Sequence, residues 1–188
     1  MDTGITRDRA LALLHQYIEN QNMVKHCLAT EAVMRALADD LGEDADQWAM
    51  AGLLHDLDVE LVNADLSVHG LETEKILREK GVHESIIESI KFHNEKAHDQ
   101  KRSTPFHHAL AAGETITGLV IATALVYPDK KIKSVKPKSI VKRMKEKSFA
   151  AGVDRSIVME CEKIGYDINR FAALCLQAMQ SIDAELGL

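Results

Sequence analysis

Cysteine, proline and aromatic residues are all scarce in this 188-residue chain, and each shortage excludes something. Cys27, Cys161 and Cys175 stand far apart, with no Cys-x-x-Cys pair, which argues against a disulfide framework and a thiolate zinc knuckle. They read as reduced, buried small hydrophobes. Aromatics are 4% of the chain and prolines number three, while aliphatic and small residues dominate its 46% apolar content. That balance disfavours sandwiches and barrels and points to packed helices. No unbroken apolar run reaches the ~20 residues that span a bilayer, and Met1-Asp2-Thr3-Gly4 lacks the charged-then-apolar pattern of a signal peptide. The expectation is an all-α, cytoplasmic protein without a membrane partner. Its length suits one domain over 1–188 with a real hydrophobic core.

Basic charge is scarce everywhere except one place. The net charge is -6, yet residues 129–147 hold nine Lys or Arg against two acids, leaving the remainder at -13. Such a run is either a solvated face or an attractor for an anionic substrate, with Lys130, Lys131, Lys133 and Lys136 as candidates for the second role. It has no interleaved aromatics, and the rest of the chain would repel phosphates, so nucleic acid is not an expected partner. No feature specifies an oligomeric state.

Apolar stripes of helical period run along most of the chain. A first helix spans about 6–19, with His15 on its surface. A second, capped at Asn22 and stopped by Gly42, carries Met23, Cys27, Thr30, Met34, Leu37 and Leu41, with His26 at the stripe's edge. A third begins near Asp44 or Asp46 and aligns Trp48, Gly52 and His55. Small residues at Ala51 and Gly52 would let a neighbouring helix come close enough for His26 and His55 to share one ion. Ser67-Val68-His69 opens a fourth helix, with His69 in its first turn. His83 opens a fifth, and His93 lies ten residues on, about 15 Å along a helix, so the two cannot share an ion. His93 is the candidate ligand and His83 a surface residue. After a polar loop over 99–104, Pro105 begins a long apolar helix to about 126, and further helices are expected near 139–147, 154–164 and 167–186.

The chemistry gathers around Leu53-Leu54-His55-Asp56, with Asp58 close behind. Imidazole nitrogens and carboxylate oxygens both ligate borderline divalent metals, and a carboxylate can bridge two ions. Glu114 sits on the apolar stripe Leu110, Glu114, Thr117, Ile121, Leu125, where an ionised carboxylate is costly unless it pairs with a base or holds a metal. His107, seven residues earlier and about 10 Å away along the helix, is too far to share that ion but could line a mouth.

The ordered set His26, His55-Asp56, His69, His93, Glu114 resembles the HD-domain superfamily of metal-dependent phosphohydrolases over roughly 22–126. Within it Leu53 to Asp58, His69-Gly70 with Ile76-Leu77, His93-Asn94 and Ala112 to Ile121 look like a small bacterial HDIG-related subgroup. Lys147-Ser148-Phe149-Ala150-Ala151-Gly152-Val153 looks like part of that subgroup's C-terminal extension, in the region of basic loop and helices over about 129–186. The resemblance implies a helical bundle in which His26, His55 and Asp56 match the defining ligands, and His69 and His93 the additional histidines of binuclear members. The family's last ligand is usually Asp; Glu114 keeps its charge and donor type. No Lys follows the His-Asp pair as it does in some nucleotide hydrolases of the superfamily, and Asp58 stands there instead.

The expected cofactor is one or two divalent ions, Fe or Mn first and Co, Ni, Zn or Mg as further candidates. Asp56 would bridge, with His26, His55 and Glu114 on one ion and His69 and His93 on the other. Metal-activated water would then attack a phosphate mono- or diester, nucleotides being the first candidates. Asp56, Asp58 and His107 are the candidate catalytic residues, the last two as general acid or water-orienting group. Two other functions compete: a di-iron oxygenase built on the same ligands, and a non-catalytic module that senses a small anion.

Overall fold

Side-chain oxygens start the first three helices. Thr6 accepts from the Arg9 amide ahead of α1 (Arg7–Tyr17), Asn20 from Asn22 ahead of α2 (Gln21–Leu41), and Asp44 from Gln47 ahead of α3 (Ala45–Leu54). Each bond satisfies a donor that a helix's first turn leaves unpaired. The structure, a computed structural model, describes residues 2–188. It continues through α4 (Leu71–Glu79), α5 (Glu84–His93), α6 (Pro105–Leu125), α7 (Pro137–Met144), α8 (Arg155–Val158), α9 (Ile168–Gln180) and α10 (Asp183–Leu186). Short 3₁₀ turns lie at Glu95–Ala97, Ile132–Ser134 and Met159–Ile164. No strand occurs among the described residues, so the chain is all-α.

The two longest helices, α2 and α6, pack against each other, with α3 and α9 also on α2 and α5 on both α3 and α6. Leu37, Leu110, Ile116 and Leu119 are fully buried among them, each worth about 1.5–3 kcal/mol relative to exposure. Glycine permits the closest approach. A Cβ on Gly52 would lie 2.7 Å from the Thr30 carbonyl oxygen of α2, so this turn of α3 can sit on α2 only without a side chain. His26 precedes Thr30 by one turn and His55 follows Gly52 by nearly one, so the contact brings the two imidazoles together edge-on, with ring centroids 5.0 Å apart.

Several boundaries differ from the sequence expectation. The cap of α2 is Asn20, because its side chain reaches the Asn22 amide while Asn22 itself lies inside the helix. Residues 55–69 are successive turns, and the fourth helix begins at Leu71, behind Gly70 at φ 97°. The stretch 154–164 is one α turn followed by a 3₁₀ turn, and 167–186 breaks at Ile182, whose φ of -117° and ψ of 25° leave the helix. Helix α6 is long and apolar enough by length and composition to cross a membrane, yet 67% of its most apolar window is buried inside the protein. Glu114 and the two histidines His107 and His108 break that helix into shorter apolar pieces in a residue-by-residue reading.

Arg102 ties the C-terminal region to this centre. Its guanidinium donates to the Phe92 and His93 carbonyls at 3.0 Å each, closing the end of α5. Its Nε and Nη2 bind both oxygens of Glu160 at 2.9 and 3.0 Å, and His108 Nδ1 lies 2.7 Å from the same carboxylate. Burial opposes ionisation of Glu160, but the hydrogen bonds from Arg102 and His108 outweigh it and hold the carboxyl below its usual range.

Candidate metal centre

Five elements deliver one residue or pair each. His26 comes from the second turn of α2, and His55 is the C-cap of α3 with Asp56 beside it. His69 lies just before the glycine cap of α4, His93 is the last residue of α5, and Glu114 sits in the middle of α6. Asp56 is the hub. Its Oδ1 lies 3.3 Å from His55 Nε2, 3.1 Å from His69 Nε2 and 3.5 Å from His93 Nε2, while Oδ2 lies 3.5 Å from His26 Nε2. Glu114 Oε2 completes the set 3.9 Å from His26 Nε2.

The other ring nitrogens determine what these Nε2 atoms can do. His55 Nδ1 donates to the Gly52 carbonyl at 2.9 Å and His93 Nδ1 to the Ile90 carbonyl at 2.5 Å. His69 Nδ1 donates to Asp58 Oδ1 at 2.7 Å. His26 Nδ1 donates to the Thr117 hydroxyl at 2.9 Å, because that hydroxyl spends its own hydrogen on the Glu114 carbonyl, 2.7 Å away. Each neutral imidazole therefore carries its one proton on Nδ1 and a lone pair on Nε2. Yet the Nε2 atoms meet each other, 3.1 Å apart for His26 and His55 and 2.9 Å apart for His69 and His93. Lone pairs so placed repel unless a cation lies between them, and oriented Nδ1–H partners are what metal-binding imidazoles have. Two groups fit an ion: His26, His55 and Glu114, and Asp56, His69 and His93, each with ligand atoms within 4.8 Å of one another. A third, Cys27, His55 and Asp56, shares two of the same residues.

Electrostatics point the same way. Burial, with Asp56 nearby, pushes the Glu114 carboxyl up to about 8, despite the Thr115 hydroxyl that donates to it. Burial lowers His55 to about 3 and also lowers His26, so neither readily carries a proton. His69 goes the other way. Burial disfavours its charge, but hydrogen bonds to Asp56 and Asp58 outweigh that and raise it to about 10. Without a metal, a proton on His69 compensates the two aspartates; an ion among the same atoms would take that proton's place.

Asp58 is sealed from solvent and accepts from the Gly70, Glu72 and Thr73 amides at 2.8, 3.1 and 3.2 Å. It thus caps α4 from a distance, since Gly70 offers no side chain, and orients His69 with its other oxygen. Nothing in that position suits it to meet a substrate. The expected second catalytic candidate, His107, is also displaced. Its ring stacks on Phe92 with centroids 4.3 Å apart, and it does not line the cleft beside the cluster. Lys130, Lys131, Lys133 and Lys136 are all exposed and outside that lining as well. Buried Ile132 and Val135 anchor their loop, Gln180 binds the Ile132 carbonyl at 3.0 Å, and Lys133 pairs with Asp183 at 2.8 Å.

The cleft itself measures about 670 Å³ and is reached through His26 and Glu114, whose side chains keep 18% and 20% exposure. Residues 151–154 and Ile157 supply part of its lining. Another cleft, about 470 Å³, carries Arg7 and Arg35, but these already pair with Glu31 and Asp46. Sequence reasoning passed over Asn94, whose amide donates to the Leu66 and His69 carbonyls at 2.8 and 2.9 Å, and over Lys96, which lines the cleft. The adjacency of Asn94 to His93 was the available signal. A family model described as HD domain matches residues 23–125, more than half the chain. No curated protein matches it.

Proposed function

The chain belongs to the HD-domain family, and from that premise we propose that it is a metal-dependent phosphohydrolase acting on a phosphate mono- or diester. The observation that carries this reading is the convergence of four Nε2 atoms on the Asp56 carboxylate. His26, His55 and Glu114 would hold one divalent ion and His69 and His93 a second, with Asp56 serving both. The imidazole-rich set suits Fe or Mn better than Mg. When bound, such ions supply Lewis acidity toward a phosphoryl oxygen and make water acidic enough to deliver hydroxide near neutrality.

The chain's own residues hold and orient. The Gly52 and Ile90 carbonyls and the Thr117 hydroxyl fix three ring planes, and Asp58 fixes the fourth by keeping the proton of His69 on Nδ1. Asp58 is in this reading a positioning residue that acts through His69. The surrounding helices bury Asp56 and His55, limiting competing water.

The test is release of p-nitrophenol from p-nitrophenyl phosphate and from bis(p-nitrophenyl) phosphate by protein reconstituted with Mn²⁺ or Fe²⁺. Turnover should stop on chelation and in Asp56→Ala. Turnover that survives both would remove the cluster from the reaction.

A further inference from the structure

The lining of the cleft beyond the metal centre divides into two parts. One part is apolar: Val59, Ala64 and Leu66 follow the His-Asp pair, and Val153 and Ile157 come from the C-terminal region. Leu66 keeps 44% of its surface exposed, a large aliphatic side chain left in water with apolar neighbours around the same cavity. The other part is polar and carries a single cation, which favours the charged form of Asp154 beside it. Lys96 is the one Lys or Arg among the described lining residues, against the carboxylates of Asp56, Glu114 and Asp154.

Asn94 fixes these parts relative to the metal centre. Its side-chain amide donates to the carbonyls of Leu66 and His69, and its Oδ1 accepts from the Lys96 backbone amide at 3.2 Å. One buried side chain thus joins a candidate metal ligand, the exposed leucine and the lysine. A nucleotide would need more than this. Bases are held on aromatic rings or guanidinium planes, and no Phe, Tyr, Trp or Arg lines the cleft among the described residues. Trp48 stacks on Phe106, and Phe92 on His107. A single cation also suits one phosphoryl group better than a polyphosphate chain.

Resting on the phosphohydrolase reading, we propose that the substrate is a phosphate monoester of a short aliphatic alcohol, with Lys96 meeting a phosphoryl oxygen and Leu66 covering the alkyl group. The oxygen of water bonds to phosphorus as the ester P–O bond breaks. The alcohol leaves with the proton that water has lost, and inorganic phosphate remains.

The experiment compares n-butyl phosphate with adenosine monophosphate on the full Mn²⁺-loaded chain, by turnover and by calorimetric competition against inorganic phosphate. The alkyl ester should lead in kcat/KM by about tenfold, the scale of discrimination set by one or two methylenes in an apolar pocket. Leu66→Ser, at an exposed position, should cut that ratio severalfold while leaving the affinity for inorganic phosphate unchanged. Lys96→Gln should weaken phosphate and both esters alike. A nucleotide that reacts as well or better, or a ratio unmoved by Leu66→Ser, overturns the proposal. If p-nitrophenyl phosphate or bis(p-nitrophenyl) phosphate turns over and neither ester does, the phosphohydrolase reading stands and the proposal is overturned; if none of the four turns over, both fail.

Discussion

Two polar clusters meet at the end of α5, where the His93 ring belongs to one and the His93 carbonyl to the other, and they are built on opposite principles. In the Arg102–Glu160–His108 network, donors meet acceptors: the guanidinium reaches two carbonyls and a carboxylate, and the carboxylate takes a second bond from His108. In the His26–His55–Asp56–His69–His93 cluster, acceptors outnumber donors: Nε2 atoms about 3 Å apart surround a carboxylate, and without a metal only the extra proton on His69 offsets them. A complete network holds helices together. A cluster short of positive charge is a receptor for it. Burial alone does not distinguish the two; the count of protons does.

Substitution should separate them most sharply at Arg102. Replacing it by Met leaves Glu160 with His108 as its partner and frees the end of α5, and should cost about 3 kcal/mol in denaturant unfolding, the low end of the range for breaking a buried charge pair, because this pair is partly buried. If the loss is under about 1 kcal/mol, on the scale of an exposed pair, the network is not the brace described. Metal addition should come next. At 100-fold excess over Kd, Mn²⁺ should stabilise the wild-type chain by about 2.7 kcal/mol for each ion bound, visible as a raised Tm, and should leave Asp56→Ala unmoved. An equal rise in both proteins would place the ion elsewhere. Asp58→Asn falls third, since it weakens both the α4 cap and the orientation of His69. A loss of about 1 kcal/mol in the metal-free protein and of roughly 10–100-fold in metal affinity is expected, read by unfolding and by metal titration.

A change of pH supplies the last comparison, since burial disfavours at His69 the charge that the two aspartates favour. The two regions should respond with opposite sign. His69 is raised from 6.5 to about 10 in the folded chain, so its contribution to metal-free stability is complete below about pH 6.5 and is lost as pH climbs through about 10. Glu160 is depressed from 4.5, so its contribution is present above that value and is lost as pH falls through its folded pKa. Unfolding of chelated protein from about pH 2 to about pH 11 should show both slopes, and saturating metal should remove the alkaline one. An alkaline slope that persists under metal would detach His69 from the ion.

Much of this arrangement was readable from residues alone. The helical stripes of α2 and α6 gave their length, the small Gly52 gave the close approach to α2, and a carboxylate on the apolar face at Glu114 signalled a need for positive charge. The rest depended on contacts that periodicity does not carry. Residues 55–69 have no repeat because they form turns. Asp58 looks like a catalytic acid until the amides of α4 are seen around it, although a glycine at a helix cap hints that the cap comes from elsewhere. The lysines of 129–147 announce charge, but Ile132 and Val135 decide where that loop lies, and the ring of His107 is settled by Phe92. Asn94 was visible only as the neighbour of His93 and Lys96 carried no pattern; the folded chain puts both beside the cleft.

The central claim is that the Asp56 cluster lacks positive charge which divalent ions supply. Elemental analysis of the purified full-length chain after Mn²⁺ or Fe²⁺ loading and desalting, beside Asp56→Ala with an unchanged circular dichroism spectrum, tests it most directly. About two ions per chain, lost in the variant, is the predicted result. Equal metal in both proteins, or none in the wild type, would contradict it.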